Sequence, residues 1–300
     1  MINTQKEMTS SLIQKILYDE ITNYLMWKDK TPMIVDISIG DDFGGLMYSK
    51  MKQKKIEKET PIKFQSIHFN NINYMELKNY IFKLNKDSMV TGIMLQLPLT
   101  DNLRGYEREI LDLIDFKKDV DGLTSTSAGL LSVGENCLVP CTALGIEVLL
   151  KCYNIPLEGK KVAIINRSNI VGKPLFQLLL KDNCTPILCH SKTSDLSTVT
   201  RECDIVVAAL NKKEYIDERY IKENAVVIDV GVHKNSENKT VGDVDYSSVY
   251  PIASYITPPV GGVGPMTIGM LAYNSVKCLY GDDANQILEN TISKVKTYKK

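Results

Sequence analysis

Apolar and β-branched residues recur along this chain at two periods. Residues 11–28 and 73–85 carry apolar positions every three to four residues, the repeat of a one-sided helix. Met33–Ile39 and residues 62–69 and 91–97 are short runs rich in Ile, Val and Phe that read as strands. The first third therefore alternates strand and helix, the mark of an α/β fold. A second alternation starts after Pro140, with a helix over 143–153, a strand at Lys161–Ile165, a helix from Gly172 and a strand at Thr185–Cys189. A short helix near Asp195 and strands at 204–208 and 225–230 complete it. These later strands have no polar face, which suits a parallel sheet covered by helices on both sides. A Pro- and Gly-dense segment at 257–265 precedes a last helical region at 266–280 and Asn285–Tyr298. The expected architecture is two α/β domains flanking a cleft, the second a Rossmann-like doubly wound parallel sheet. Residues 1–140 with 272–300 would form the first domain and 141–271 the second.

Composition narrows the function classes. The 300 residues include 36 Lys and Arg against 36 Asp and Glu, a formal charge of zero that argues against a nucleic-acid or membrane binder driven by bulk charge. Seven cysteines at 137, 141, 152, 184, 189, 203 and 278 contain no CxxC pair and read as reduced core thiols. His68, His190 and His233 lack the spacing of a metal motif, so no metal is expected. The opening MINTQKEMTSSLIQKILYDE has no apolar signal region and no run is long enough to span a membrane, so the expected address is the cytosol. The closing SKVKTYKK reads as a solvated helix terminus.

Two segments carry chemistry in the second domain. The run Val162-Ala163-Ile164-Ile165-Asn166-Arg167-Ser168-Asn169-Ile170-Val171-Gly172 is a strand, a polar turn and a helix start, where a doubly wound fold offers backbone N–H groups to phosphate. GxGxxG is absent, and Asn166 stands where a Gly is expected, although Asn tolerates positive φ. On pattern alone, a nucleotide loop and a plain connection both stay open. The next strand ends Cys189-His190-Ser191-Lys192, without the carboxylate that NAD-binding folds present to a ribose 2′-hydroxyl. Arg167, Ser168, Ser191 and Lys192 instead offer donors for a 2′-phosphate, favouring NADP.

In the first domain, Gly44 to Lys52 opens a helix on which Tyr48 and Lys52 share a face. A YxxxK pair also occurs in short-chain dehydrogenases, but there the nucleotide loop precedes the pair, and here it follows far downstream. An ordinary exposed face among Lys50, Lys54 and Lys55 is the bland alternative. Gln96 ends a buried strand, and Asp119 and Asp121 share the next loop. With Pro140-Cys141-Thr142, QLPL at 96–99 and GGVGPMT at 261–267, this ordered set resembles the bifunctional methylenetetrahydrofolate dehydrogenase/cyclohydrolase family over nearly the whole chain.

The resemblance implies oxidation of 5,10-methylenetetrahydrofolate with NADP, hydrolysis of the methenyl product to 10-formyltetrahydrofolate, and a homodimer joined through the nucleotide domains. By similarity Lys52 serves hydrolysis, Tyr48 packs on the folate, Gln96 hydrogen-bonds the lysine and Asp121 binds the pterin, making these four the catalytic set. A cationic substrate and partial desolvation would favour a neutral Lys52 amine able to take a proton from water. Leu95, Leu97, Gly261, Gly262, Val263 and Gly264 complete the folate site; Asn166, Arg167, Ser168, Ser191 and Val232 form the cofactor site; Asp119 is read as structural. The chain departs from the family pattern at Gly45, Asn166, 124–127, Ala143, Asn211 and Pro259-Val260. These departures define the alternatives: a cyclohydrolase-dominant or NAD-using member with weakened dehydrogenase, or a noncatalytic folate- or nucleotide-binding regulator.

Overall fold

The structure, a computed structural model, describes residues 6–40 and 43–298; the first five residues of the N-terminal stretch and Lys299 and Lys300 of the expected helix terminus lie outside them. In chain order the first elements are α1 (Ser11–Leu25), β1 (Met33–Ile39), α2 (Phe43–Glu59), β2 (Lys63–Phe69), α3 (Tyr74–Lys86), β3 (Gly92–Leu95), α4 (Asp101–Arg104), α5 (Glu107–Leu111) and α6 (Ser125–Ser132). There follow α7 (Cys141–Cys152), β4 (Lys161–Ile165), α8 (Gly172–Lys181), β5 (Thr185–Cys189), α9 (Leu196–Arg201), β6 (Ile205–Ala208), β7 (Val226–Asp229), β8 (His233–Lys234) and β9 (Thr240–Val241). The chain closes with α10 (Tyr246–Val249), β10 (Tyr255–Ile256), α11 (Val263–Tyr280) and α12 (Asn285–Tyr298).

Two compact units form. One contains Lys15–Cys141 and Ile268–Thr291; the other runs through Gln14, takes up Thr142–Thr267 and resumes at Ile292. The sequence division had placed residues 6–14 and 292–298 with the first unit. The N-terminal segment goes to the second because Glu7 bridges edge-strand residue Ile256 in parallel and Met8 N–H donates to the Ile256 carbonyl at 2.8 Å.

The first unit is built on a parallel sheet of order β2-β1-β3. The two-residue period of a strand divides β1 between faces. Val35, Ile37 and Ile39 join Leu77, Ile81, Ile93, Leu95 and Leu103 in one apolar core. Asp36 and Ser38 point the other way. Helix α3 presents Leu77 and Ile81 to this core and starts with a reciprocal cap, Asn73 accepting from Glu76 N–H at 3.0 Å and Glu76 accepting from Asn73 N–H at 3.1 Å.

The second unit is the expected all-parallel sheet, of order β10-β7-β6-β4-β5. Numbered from β4, that order is 2-1-3-4-5, the flavodoxin-like doubly wound arrangement, in which ligands bind past the strand ends where the winding reverses, here at β4 and β6. The strands themselves are apolar: β4, β6 and β7 are buried over nearly their whole length.

The sequence reading left 124–127 without structure; it is the start of α6. Thr124 caps that helix by accepting from Ser127 N–H at 3.1 Å, while Ser127 Oγ donates to Asp119 at 2.8 Å and Ser125 N–H to Asp112 at 2.6 Å. Helix α11 begins at Val263, inside the Pro- and Gly-dense segment expected to be loop.

Candidate active site

The first unit gathers charge on the α2 side of its sheet. Met94 on β3 is the registered partner of Asp36 on β1, so the two side chains stand abreast on the same face. Lys52 enters from α2: it is only 6% exposed, its amine lies 3.5 Å from Met94 Sδ, and it sits 5.0 Å from the centroid of the Tyr48 ring one helical turn earlier. Helical spacing accounts for that pair, because residues four apart lie on one face. Asp36 is 1% exposed and fully engaged, accepting from Ser49 Oγ on one oxygen and from Gln96 Nε2 at 2.8 Å on the other. Burial pushes the Asp36 carboxyl above the usual carboxylate range, opposed by the Lys52 charge and by these two donors.

Asp121 reaches the same cluster from the loop after β3. That loop is pinned on both sides. Asp119 accepts from Leu123 N–H at 3.1 Å, Thr124 N–H at 2.8 Å and Ser127 Oγ at 2.8 Å, the structural role expected of it. Gly122 holds φ +65°, and a Cβ there would stand 2.7 Å from the Val139 carbonyl carbon, so only glycine lets the 119–122 turn lie against 138–140. Buried Asn274 on α11 donates to the carbonyls of Val120 at 2.8 Å and Val139 at 2.9 Å, tying the two segments together. Desolvation pushes the Asp121 carboxyl up to about 7, with Lys52 pulling the other way and Asp119 and Asp36 adding to the rise. Cys141 lies beside it, its thiol 3.5 Å from the Val120 carbonyl, and burial pushes that thiol well above its ordinary range. Tyr48 keeps 39% of its surface exposed, yet desolvation of its phenol, followed by Cys141 and Asp121, pushes it up to about 12.

The structure thus brings together Tyr48, Lys52, Gln96 and Asp121, and adds Asp36 and Ser49, which the sequence reading did not single out, and Cys141, which it named in a motif and as a core thiol without placing it in the site. Gln96 is anchored through its amide N–H, which donates to Asp36 because β1 and β3 are in register; the pairing expected with Lys52 would use the other end of the same amide, its carbonyl. Leu95 is 3% exposed and packs in the core with Ile37 and Ile93, and Leu97 packs against that core. Any contact of Leu95 with a ligand is therefore through its backbone.

In the second unit, Ile165 and Cys189 are registered partners at the ends of β4 and β5. Arg167 and Ser191 each follow two residues beyond, so the exposed Arg167, Ser191 and Lys192 leave adjacent strand tips. Asn166 does not take the left-handed conformation; it replaces glycine by using its side chain. Its Oδ1 accepts from Ser168 N–H at 2.7 Å and Gly172 N–H at 3.1 Å, and its Nδ2 donates to the Ala209 carbonyl at 2.6 Å. That last bond joins the loops after β4 and β6 at the winding reversal. Gly172 is obligatory in this turn: a Cβ would stand 2.2 Å from the Asn166 carbonyl oxygen. Asn211, another departure from glycine, does sit at φ +57°.

Buried carboxylates brace the neighbouring loops. Asp243 accepts from the backbone N–H groups of Leu210 at 2.7 Å and Lys212 at 2.8 Å, and contacts His233 Nε2 at 2.8 Å. Asp229 accepts from Gly231 N–H at 3.0 Å and Asp243 N–H at 2.9 Å, and burial pushes it up to about 6. Val232, at the end of this braced turn, is 68% exposed. Gly261 also belongs to this unit; its carbonyl accepts from Ser10 N–H at 2.8 Å and Ser10 Oγ at 2.7 Å. Gly262 lies close against Pro258, Gly264 has open space where a Cβ would stand, and Val263 is 5% exposed at the start of α11, so its side chain serves packing.

A nicotinamide dinucleotide fits the donor set of the strand tips. Cations and hydroxyls follow β4 and β5 with no carboxylate at the end of β5, and α8, a full ten residues long, starts directly beyond the braced turn. The molecule is thus a two-unit α/β protein with a buried lysine–carboxylate cluster in one unit and a doubly wound nucleotide fold in the other.

Residues 4–121 match the profile of the tetrahydrofolate dehydrogenase/cyclohydrolase catalytic domain, and residues 140–282 that of the NAD(P)-binding domain of the same enzymes. The chain belongs to that family. A relative from Agathobacter rectalis described as bifunctional protein FolD is 43% identical over 274 residues, covering 91% of this chain and 97% of its own. The solved bifunctional FolD methylenetetrahydrofolate dehydrogenase/cyclohydrolase from Campylobacter jejuni superposes with a TM-score of 0.82 at 38% identity, covering 96% of each chain. The Trypanosoma brucei methylenetetrahydrofolate dehydrogenase-cyclohydrolase, solved with NADP cofactor and an inhibitor, gives 0.80 at 30% identity over 89% of this chain and 93% of its own.

Proposed function

We infer that this chain oxidises 5,10-methylenetetrahydrofolate to 5,10-methenyltetrahydrofolate with NADP and hydrolyses the product to 10-formyltetrahydrofolate. The observation that carries the reading is the buried Lys52 amine, held beside Tyr48 and flanked by Asp36 and Asp121 in the unit that matches the catalytic domain.

Folate binding falls to Asp121 and Tyr48. A carboxylate can accept two parallel N–H bonds from an aminopyrimidinone edge, and those donors stabilise the charge that desolvation opposes. The Tyr48 ring stays a neutral phenol and offers its face to the substrate. Lone-pair donation from the two nitrogens flanking the one-carbon bridge expels hydride, so this step needs orientation and no general base. NADP, when bound, supplies the nicotinamide that accepts the hydride; Arg167, Ser168, Ser191 and Lys192 would hold its 2′-phosphate side, and the Asn166 turn and Val232 would shape its pocket.

Hydrolysis uses the same substrate position. Lys52 as a neutral amine takes a proton from water as its oxygen adds to the methenyl carbon, and returns one as the ring C–N bond opens. Gln96 and Asp36 hold the polar environment around that amine. A cytoplasmic homodimer formed through the nucleotide unit belongs to the same reading and rests on the family resemblance; a monomer in analytical ultracentrifugation at working concentration would refute the dimer.

Absorbance assays test the function directly. Methylenetetrahydrofolate should reduce NADP far more efficiently than NAD, and methenyltetrahydrofolate should decay without any dinucleotide. Hydrolysis without dehydrogenation would establish a cyclohydrolase alone, and neither activity would leave only binding.

A further inference from the structure

The Gln96 amide has two chemically different ends, and Asp36 accepts a hydrogen bond from one of them. A carboxylate offers acceptors only, so the –NH₂ end must face it, as the 2.8 Å Nε2 to Oδ1 bond has it. The other Asp36 oxygen is engaged by Ser49, which leaves that carboxylate no freedom to swing toward Lys52. The Gln96 carbonyl is thereby turned away from Asp36. The Lys52 amine has a thioether as its short contact, a weak acceptor for a group with several N–H bonds to place.

We propose that Asp36 is a positioning residue for the hydrolytic step: by fixing which end of Gln96 it holds, it keeps the Gln96 carbonyl as the acceptor that orients the Lys52 amine and its water. Asp36 touches neither substrate nor cofactor in this scheme and acts through Gln96 and through its charge. The proposal rests on the functional reading of Lys52 above. The charged and titratable groups around the pair are Lys52 and Tyr48 from α2, Asp119 and Asp121 from the loop after β3, Cys141 from α7, and His68 on β2, which bonds Ser38 beside Asp36.

The test is Asp36→Asn, which keeps shape and removes the charge. An asparagine can present either end to Gln96, so the glutamine loses its fixed orientation and its –NH₂ can take the place of the carbonyl that orients the amine. Methenyl hydrolysis should lose about 10- to 100-fold in kcat, with KM for the folate within about twofold and hydride transfer within about threefold. The midpoint of the hydrolysis pH profile should also move down by roughly one unit, because an anion that helps the cluster keep its proton is gone. Ser49→Ala, which leaves the Asp36–Gln96 bond and the Asp36 charge in place, should cost much less hydrolysis than Asp36→Asn. A purely structural Asp36 would lower both activities together and leave the midpoint unmoved, and that outcome overturns the proposal, as does wild-type hydrolysis in Asp36→Asn. Lys52→Met measured in parallel separates the two levels: if it still hydrolyses, the reading of Lys52 falls and this proposal with it, whereas an inactive Lys52→Met beside a normal Asp36→Asn overturns the proposal alone.

Discussion

The two chemical regions of this molecule solve opposite electrostatic problems. Around Lys52 the protein withdraws charge from water: Lys52 is 6% and Asp36 1% exposed, and Asp121 is pushed up to about 7. At the tips of β4 and β5 the cations Arg167 and Lys192 stay exposed, and the loops are braced by other groups, the half-buried Asn166 side chain after β4 and the buried carboxylates of Asp229 and Asp243 beside the loops after β6 and β7. The difference matches the tasks proposed for the two regions. A proton-transfer group works on a water held among fixed polar partners and shielded from bulk solvent. A phosphate site needs permanent positive charge and fixed N–H groups, which a braced loop supplies without burying any cation.

The sharpest way to break this comparison is to remove the buried amine. Lys52→Met should abolish methenyl hydrolysis, a loss of about 100- to 10,000-fold, while leaving measurable hydride transfer. A spectrophotometric assay of both reactions on one preparation decides it, and hydrolysis undiminished would end the assignment.

Asp121→Asn comes next, and it should move binding and stability in opposite directions. One oxygen of the paired acceptor becomes a donor that faces a donor, so folate affinity should fall about 100-fold by isothermal titration. Stability should rise. With the native carboxyl at about 7 and the unfolded value at 3.8, the folded state binds more protons between those pH values, so wild-type stability falls as pH rises through that window and the penalty is complete above it. The variant lacks this term and should be more stable at pH 8 by about 1–2 kcal/mol, seen as a thermal midpoint a few degrees higher. Equal pH dependence in both proteins would show that Asp121 is not desolvated. Asp229, pushed up to about 6, and Glu147, pushed up to about 7, tilt the other unit the same way.

On the nucleotide side, Arg167→Ala should raise the NADP KM about 10- to 50-fold and leave NAD nearly unchanged, since a charge-assisted bond to a 2′-phosphate has no counterpart on a hydroxyl. An equal loss for both dinucleotides would place Arg167 on the shared part of the cofactor.

Much of the fold was legible because the strands are apolar runs bounded by breakers. The spans of β1, β4, β5 and α12 match the expected ones to the residue. Helix α6 was not legible: Ser-Thr-Ser-Ala-Gly has little helical propensity or periodicity, and its start is held by Asp112 and Asp119 from outside the segment. In the site, the motifs located Tyr48, Lys52, Gln96 and Asp121, but not who bonds whom. Asp36 left a readable signal, a single carboxylate inside the apolar run MIVDISI, alternating with Val35 and Ile37. Its partners Ser49 and Gln96 come from α2 and from the residue that follows β3, and only the register of β1 with β3 brings Gln96 to it.

Asn166→Ala is the smallest expected effect and the finest test of the contrast. The side chain serves the loop on three sides, taking the N–H groups of Ser168 and Gly172 and giving a hydrogen bond to Ala209, so its loss frees the turn and uncouples the loops after β4 and β6. Those N–H groups lie in a partly solvated turn, and water can replace the lost acceptor, so the stability cost should stay near 1 kcal/mol. Because the turn serves every part of a bound dinucleotide alike, KM should rise about three- to tenfold for NADP and for NAD together, with the preference between them preserved. A change in that preference, measured as the ratio of kcat/KM values, would show Asn166 reading the ribose directly, and the separation between a bracing side chain and exposed cations would fail at that position.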